Sequence, residues 1–191
     1  MSRAGLILAS GSPRRRELLA GMGMEFEVVS PPVVELDGRS APTLSPAELA
    51  RANAHLKAAA ALRRGWWILG ADTVVTLDGV VFGKPRSLEE AREFLRALSG
   101  GTHEVVTGLA LISPDGLAEV FHETSRVTFR VLSDEVITRY LAQVDVLDKA
   151  GAYALQENGD WLVERVECSR ANVIGLPVER LKILLRQRGL F

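Results

Sequence analysis

The sequence predicts an α/β domain in which helices flank a mixed β-sheet. Helical segments alternate along the chain with single apolar strands and with β-hairpins, and this alternation is typical of a sheet covered by helices. Capping boxes, in which a serine is followed three residues later by a glutamate, mark two helix starts. The 191 residues are enough for one domain with a substantial core. We therefore expect a single domain over residues 1–191, which a central cleft divides into two lobes if it is divided at all.

The charge balance and the apolar runs argue against two classes of partner. Lysine and arginine number 23 against 24 acidic residues, for a formal net charge of -1, so no overall positive field favours nucleic acid. The apolar run 5–9 is too short for a signal peptide, and no run reaches the length of a membrane span. The one cysteine, Cys168, cannot form an internal disulfide. We expect a cytoplasmic protein with no membrane or nucleic-acid partner.

The segment 6–18 predicts an anion-binding turn. An apolar strand breaks at a Ser-Gly pair and continues as a helix, with Ser12 at the N-cap and Pro13 at the first helical position. Free backbone N–H groups and the helix dipole favour a phosphate there, and Arg14 and Arg15 add charged, forked donors. The alternative is an ordinary strand, loop and helix with a solvated basic face.

The remaining elements follow from capping, turn and periodicity signals. Prolines and an Asp-Gly pair make 30–45 a long loop. The two capping boxes begin helices expected to end at Arg64 and at Leu98, and Asp78-Gly79 predicts a tight hairpin. The other predicted helices are 133–144 and one that begins at Pro177. The predicted strands are 66–69, 73–77, 80–82, 104–112, 117–132 with an irregularity near 122–125, a strand directly after Tyr153, and 161–166 as its partner.

Asp72 is the strongest candidate for a functional acid. It follows an apolar strand and two small residues, where a sheet would expose a carboxylate in a crevice. Gly70 would leave room there for a ligand or a metal ion to approach the backbone. In the alternative interpretation, Asp72 only forms a hydrogen bond within its own turn.

Other candidates are weaker one by one. Lys84 in Gly-Lys-Pro would be a fixed cation near Asp72, or simply part of a surface turn. Glu35 lies in the long loop, where acids are usually only solvated. Gln156 follows the charged pair 148–149, and its amide offers the donor and acceptor needed to contact a nucleobase edge. The histidines show no metal-ligand spacing, and the sequence lacks a Walker loop, a nucleophile elbow and a dinucleotide-binding motif.

Taken together, the motifs resemble the Maf family. The matching blocks run in family order from residue 6 to residue 177. They are Leu-Ala-Ser-Gly-Ser-Pro-Arg-Arg, Leu-Gly-Ala-Asp-Thr, Gly-Lys-Pro, Leu-Ser-Gly-x-x-His, Asp-Lys-Ala-Gly-Ala-Tyr and Asn-Val-x-Gly-Leu-Pro. The resemblance implies the fold shared by Maf proteins and inosine triphosphatases. It also implies a nucleoside triphosphate pyrophosphatase that uses a divalent cation, Mg²⁺ or Mn²⁺, and often forms a homodimer.

The resemblance assigns roles to residues of this chain by position. Asp72 matches the catalytic acid, and Lys84 matches a lysine expected to take part in catalysis. Glu35 and Asp72 would hold the metal ion. The residues expected to bind substrate are Ser10, Arg14, Arg15, Thr73 and Gln156.

The blocks match the branch of the family that hydrolyses dTTP and UTP. Two alternatives remain: the same reaction on 7-methyl-GTP or modified nucleotides, and a nucleotide-binding regulator of cell division with weak hydrolysis. Two positions depart from the family pattern. Asn53 stands where a lysine is common, and Glu157 replaces the glycine that usually follows the matched glutamine. Lys57 lies one helical turn after Asn53 and is expected to substitute for that lysine.

Overall fold

The computed structural model describes residues 4–38 and 40–191, and its described strands form one mixed sheet. The order across the sheet is β2-β1-β3-β5-β6-β7, and β4 pairs with β3 outside this path. The strands are β1 (Leu6–Ala9), β2 (Glu27–Val29), β3 (Trp67–Leu77), β4 (Val80–Phe82), β5 (Thr102–Ile112), β6 (Ala118–Phe129) and β7 (Val163–Glu167). The helices are α1 (Pro13–Ala20), α2 (Pro46–Ala60), α3 (Leu88–Leu98), α4 (Asp134–Leu141), α5 (Arg170–Ile174) and α6 (Val178–Gln187). The predicted fold class is confirmed, whereas a division into lobes stays a prediction.

The sheet is parallel on one side and antiparallel on the other. β1 runs parallel to both β2 and β3, while β3, β5, β6 and β7 pair antiparallel in sequence. β1 is buried along its whole length. Its alternate residues pack into two different clusters, Leu6 and Leu8 with α1 and α6, Ile7 and Ala9 with α2. An apolar strand without polar alternation is what a sheet covered on both faces requires.

Local signals predicted several boundaries correctly. Ser45 and Glu48 form the reciprocal capping box at the start of α2, and β3 turns into β4 through Asp78, which has a positive φ of 50°. Ser12 is the N-cap residue of α1, with Pro13 as the first helical residue. The box at the start of α3 is incomplete, because the Glu90 carboxylate accepts from the backbone N–H of Arg86 instead of that of the N-cap.

Other predicted boundaries are wrong. The strands predicted separately over 66–69 and 73–77 are one strand, β3, of 11 residues. Residues 70–72 pair with β5 without interruption. α2 ends at Ala60, before Arg64. The register of β5 with β6 is regular through 122–125, and the irregularity lies at Thr128/Phe129 opposite β7. No strand directly follows Tyr153, since residues 154–162 contain none, and β7 pairs with β6 instead of with a strand there.

Helix α2 lies directly on the middle of the sheet. A Cβ at Gly70 would overlap the Ala54 carbonyl oxygen, and a Cβ at Gly108 would overlap the backbone of Ala50. The two glycines therefore let the helix backbone approach β3 and β5 closely. Gly70 makes room for a helix, which corrects the expectation that it makes room for a ligand or a metal ion.

Within residues 4–38 and 40–191, none of the helices has the length and apolar character needed to cross a membrane.

Candidate active site

One cleft is lined by every residue that the sequence analysis predicted for the site. It lies where β1 ends, beside the middle of β3, and has a volume of about 360 Å³. The nominated residues in its lining are Ser10, Arg14, Arg15, Glu35, Asp72, Thr73, Lys84 and Gln156. They come from separate strands, helices and loops, so the fold brings together groups that are far apart in the chain.

A lysine joins Glu35 and Asp72, two of the acids that line the cleft. The Nζ atom of Lys57 lies 2.6 Å from Oδ1 of Asp72 and 3.1 Å from Oε1 of Glu35. Both Lys57 and Asp72 are buried, with relative exposures of 7% and 6%. Asp72 is not part of a turn, so the alternative of a carboxylate that serves only its own turn does not hold. A buried carboxylate needs such a partner, and a buried ammonium needs it equally.

Asn53 binds the second carboxylate oxygen of Asp72. Its Nδ2 donates to Oδ2 of Asp72 at 3.1 Å and to the carbonyl of Leu36 at 2.9 Å, while its Oδ1 accepts from the Leu36 N–H at 2.8 Å. Asn53 and Lys57 are four residues apart on α2 and therefore share one face. That face holds Asp72 and ties the loop around Glu35 to the sheet.

Glu35 is held by two cations. Its Oε2 lies 3.4 Å from Nζ of Lys84, in addition to the contact with Lys57. Burial raises the pKa of Glu35, but the two ammonium groups outweigh it and keep that pKa below its ordinary value. Glu35 is therefore ionised at neutral pH, and both Glu35 and Asp72 face cations.

Arg15 is tied to the protein by all three nitrogens of its guanidinium group. Nε donates to the Gly175 carbonyl at 2.9 Å, Nη1 to Oγ of Ser10 at 3.2 Å and Nη2 to Oγ1 of Thr73 at 3.0 Å. Burial is the largest influence on the pKa of Arg15 and lowers it, against the opposing effect of Asp72. Arg15 thus braces the walls of the cleft, and a phosphate would have to share its donors.

Arg14 lies at the mouth of the cleft, in a chain of ion pairs. Its Nη1 is 3.1 Å from Oδ2 of Asp148, whose Oδ1 is 2.8 Å from Nζ of Lys149. Lys149 also lies 3.4 Å from Glu157 and donates to the Asp145 carbonyl. Burial raises the pKa of Asp148, and its contacts with Lys149 and Arg14 bring the pKa below its usual value. This series of ion pairs joins the first turn of α1 to the loop that carries Gln156.

Comparison with known proteins agrees with this arrangement of motifs. The family model described as Maf-like protein matches residues 5–188. The chain belongs to the Maf family. The dTTP/UTP pyrophosphatase of Thermus thermophilus is 48% identical over 184 residues, which cover 96% of this chain and 95% of the relative. The dTTP/UTP pyrophosphatase of Akkermansia muciniphila is 47% identical over 186 residues, which cover 96% of each. That of Nitratidesulfovibrio vulgaris is 43% identical over 187 residues, covering 96% of this chain and 88% of the relative.

A solved structure shows the same fold at low sequence identity. The Staphylococcus aureus Ham1 protein matches with a TM-score of 0.54 and 17% identity, over 96% of this chain and 99% of that chain. At this identity the likeness concerns the fold.

The two departures from the Maf pattern both find partners in the structure. Asn53, in place of a common lysine, binds Asp72, and Lys57 carries the ammonium group to the same carboxylate from one turn later. Glu157 lies beside Lys149 and adds a negative charge next to Gln156. The expectation that Lys57 can stand in for the missing lysine is thus consistent with the geometry.

Sequence reasoning missed a buried polar network behind the cleft. Thr73 Oγ1 lies 2.9 Å from Thr107 Oγ1, which donates to the Asn172 carbonyl at 3.0 Å. The fully buried Asn172 side chain donates to the Val105 carbonyl and to Oγ of Ser125, both at 3.0 Å. The available signal was the Asn-Val-x-Gly-Leu-Pro block, which contains Asn172 but gives no partner for it.

A second missed pair fixes the loop before Gln156. Nε2 of the buried His103 lies 2.9 Å from the Tyr153 hydroxyl, and both rings pack edge-on against Phe129. Desolvation lowers the pKa of His103 to about 4, so the imidazole is neutral. Tyr153 lines the cleft two residues after Gly151, so this contact anchors the cleft wall to β5.

The acids of the cleft suit a cation that arrives with phosphates. Among the described residues, no cluster of three or more histidine, cysteine or acidic side chains could enclose a metal ion. Glu35 and Asp72 supply two carboxylates next to cationic side chains. Mg²⁺ typically takes one or two carboxylates and completes its shell with water and substrate phosphates. The donor set fits that mode of binding and does not form an all-protein cage.

Proposed function

We propose that this Maf-family chain hydrolyses dTTP and UTP to the nucleoside monophosphate and pyrophosphate. The observation that carries the proposal is the juxtaposition of Asp72, Glu35 and Lys57 in one cleft with Arg14 and Lys84. Two carboxylates, of which that of Asp72 is buried, beside several cations suit the cleavage of a polyphosphate. The names of the relatives, which are 43% to 48% identical, support the choice of substrate.

The cations of the cleft bind the triphosphate. Arg14 and Lys84 are partly exposed, with side-chain exposures of 22% and 54%, so both can turn toward an incoming phosphate. The N-terminal turn of α1 adds favourable dipoles, since the Ser12 side chain makes no capping hydrogen bond to its N–H groups. These groups also offset the charge that develops on the departing pyrophosphate.

Asp72 orients the attacking water and accepts its proton. Asn53 donates to its Oδ2, and in the free protein Lys57 donates to its Oδ1, so the plane of the carboxylate is fixed before substrate binds. A fixed carboxylate keeps a water molecule in line with the α-phosphorus, and such positioning accounts for much of the catalysis in phosphoryl transfer. Lys84 acts beside it as a cation on the phosphate oxygens.

Glu35 and Asp72 would hold the divalent cation, Mg²⁺ or Mn²⁺. When bound, that ion neutralises phosphate charge and polarises the scissile anhydride. The chain's own contribution is to bring the two carboxylates together in the cleft. Lys57 contacts both of them, and Lys84 contacts Glu35.

Thr73 and Gln156 select the pyrimidine base. Gln156 is exposed at the cleft and free to present an amide donor and an acceptor to the base edge. Thr73 is held by Arg15 and Thr107, so its hydroxyl has a defined orientation. A hydrogen-bonding site of this kind rejects bases that leave its groups unpaired.

A substrate panel tests the proposal. Purified protein with Mg²⁺ is assayed against dTTP, UTP, 7-methyl-GTP, modified pyrimidine triphosphates and the other common triphosphates, and pyrophosphate and monophosphate are quantified separately. We expect dTTP and UTP to be the best substrates and ¹⁸O from labelled water to appear in the monophosphate. Asp72→Asn should abolish turnover, whereas Asp160→Asn at an exposed site should not. Near-normal turnover by Asp72→Asn would refute the proposed role of Asp72.

The outcome of the panel also separates the other hypotheses. Preference for 7-methyl-GTP or a modified nucleotide would keep the reaction and change the substrate. Nucleotide binding by calorimetry without turnover would indicate a regulator. A homodimer is proposed from the family resemblance, and sedimentation velocity tests it. A cytoplasmic location is proposed from the single cysteine, Cys168.

A further inference from the structure

Lys57 lies between the two carboxylates that would hold the metal ion. Its ammonium group is 2.6 Å from Oδ1 of Asp72 and 3.1 Å from Oε1 of Glu35, so it contacts one oxygen of each carboxylate. A hard divalent cation is bound by carboxylate oxygens of this kind. A divalent cation bound by both carboxylates would therefore compete with Lys57 for the same oxygens.

The charges reinforce this competition. With Lys57 in place, one positive charge offsets part of the negative charge of Glu35 and Asp72. A cation that approaches the cleft then meets a weaker field than two free carboxylates would give. Because Lys57 and Asp72 are buried, solvent screens this effect less than it would at the surface.

Lys57 has a second partner within reach when a triphosphate is bound. It lines the same cleft as Arg14 and Lys84, and its side chain ends in a mobile ammonium with three donors. Phosphate oxygens placed in that cleft can accept from it. The nucleotide thus offers Lys57 a partner to replace the carboxylates that it gives up.

We propose that Lys57 is an exchangeable internal counter-ion that pairs with Glu35 and Asp72 in the free enzyme and transfers to the substrate phosphates when metal and nucleotide bind together. This inference rests on the proposed function. Its consequence is a positive coupling: nucleotide strengthens metal binding by relocating Lys57, and metal strengthens nucleotide binding equally. The exchange favours the complete complex over an enzyme loaded with metal alone.

Metal binding without turnover tests the exchange. Mn²⁺ is titrated into the full chain at one fixed pH, with binding followed by electron paramagnetic resonance, in the absence and presence of α,β-methylene UTP. In wild type, the analogue should tighten Mn²⁺ binding strongly. In Lys57→Met, Mn²⁺ alone should bind about tenfold more tightly, and the tightening by the analogue should shrink by about the same factor, because two uncompensated carboxylates remain.

Controls separate charge from folding. Lys182→Met removes the same charge from α6, where the ammonium group lies 6.0 Å from the centre of the Phe191 ring, and should leave both affinities unchanged. If Lys57→Met does not fold, Lys57→Gln keeps a neutral donor and should show the same trend. Equal or weaker Mn²⁺ binding in a folded Lys57 variant overturns the exchange. Absence of Mn²⁺ binding in every form, with analogue present, would instead count against the proposed function.

Discussion

Gly70 on β3 touches the carbonyl of Ala54 on α2 so closely that no side chain fits between them. The same approach brings Asn53 and Lys57, on the neighbouring turns of α2, within hydrogen-bonding distance of Asp72. Asp72 is two residues after Gly70 on the same strand and points to the same face, as alternate residues of a strand do. The absence of a side chain at Gly70 thus sets the geometry of the acid cluster.

Gly70→Ala should lower the stability and damage the site together. The added Cβ would overlap the Ala54 carbonyl and lie 2.9 Å from the Cβ of Ala58, and a backbone cannot yield as a flexible side chain can. We expect a loss of about 3 kcal/mol in the free energy of unfolding, measured in urea. At Gly101 an added Cβ would lie 3.6 Å from the Leu98 carbonyl oxygen, which is an ordinary contact distance. Gly101→Ala should therefore change stability by less than about 1 kcal/mol. A Gly70→Ala protein as stable as wild type would contradict the close approach.

The helix and hairpin starts were predictable because their causes are local. The serine and glutamate of the capping box at α2, and the Asp78-Gly79 turn, are satisfied within a few residues of the chain. The interruption predicted between strands 66–69 and 73–77 was wrong because contacts with distant parts of the chain determine the structure there. Small residues there suggested a turn, but pairing with β1 and β5 and the contact with α2 are long-range effects that keep the strand extended.

The members of the site were more predictable than its internal contacts. Motifs placed Asp72 and Glu35 together, and the spacing of Asn53 and Lys57 on one helix face was visible in the sequence. That Lys57 touches both acids depends on the path of the 30–45 loop, which has no periodicity to guide a prediction. Asn172 escaped notice because its partners come from two distant strands.

Arg14 and Arg15 are adjacent, but replacing each by methionine should have a different effect: one on the KM and the other on stability. Arg14→Met removes a partly exposed cation at the cleft mouth and should raise the KM for dTTP about tenfold with little loss of stability. Arg15→Met leaves the Gly175 carbonyl and the Ser10 hydroxyl without their donor. It should cost about 3 kcal/mol in the free energy of unfolding. Steady-state kinetics and urea unfolding on both variants test the contrast, and equal stability losses would argue against it.

His103 makes stability depend on pH in mild acid. Its folded-state pKa of about 4 lies below the ordinary value of 6.5, so the unfolded chain binds a proton more readily. The stability that comes from keeping His103 neutral is present above pH 6.5 and is lost as the pH falls toward 4. Between pH 7 and pH 5 the loss should be about 2 kcal/mol.

Comparison of variants isolates this contribution. His103→Gln removes the titrating ring, so its free energy of unfolding should change less between pH 7 and pH 5 than that of wild type. His55→Gln replaces an exposed histidine on α2 and should retain the wild-type difference. Urea titrations at both pH values provide the numbers, and identical pH dependence in wild type and His103→Gln would rule out His103 as the source.

Asn172 lies outside the cleft but should contribute to both the stability of the protein and its KM for substrate. Its buried side-chain amide donates to the Val105 carbonyl and to Oγ of Ser125, and its backbone carbonyl oxygen accepts from Oγ1 of Thr107. Asn172→Asp keeps the shape but loses both donors and buries a charge, so it should destabilise the protein more than Asn172→Ala, which should cost about 2 kcal/mol. The exposed Gln143→Ala serves as the matched loss of an amide. The Asn172 side chain holds the backbone whose carbonyl oxygen accepts from Thr107, and Thr107 contacts Thr73, so Asn172→Ala should also raise the KM for dTTP while Gln143→Ala does not. A destabilised Asn172→Ala with an unchanged KM would show that the network supports the fold without orienting Thr73.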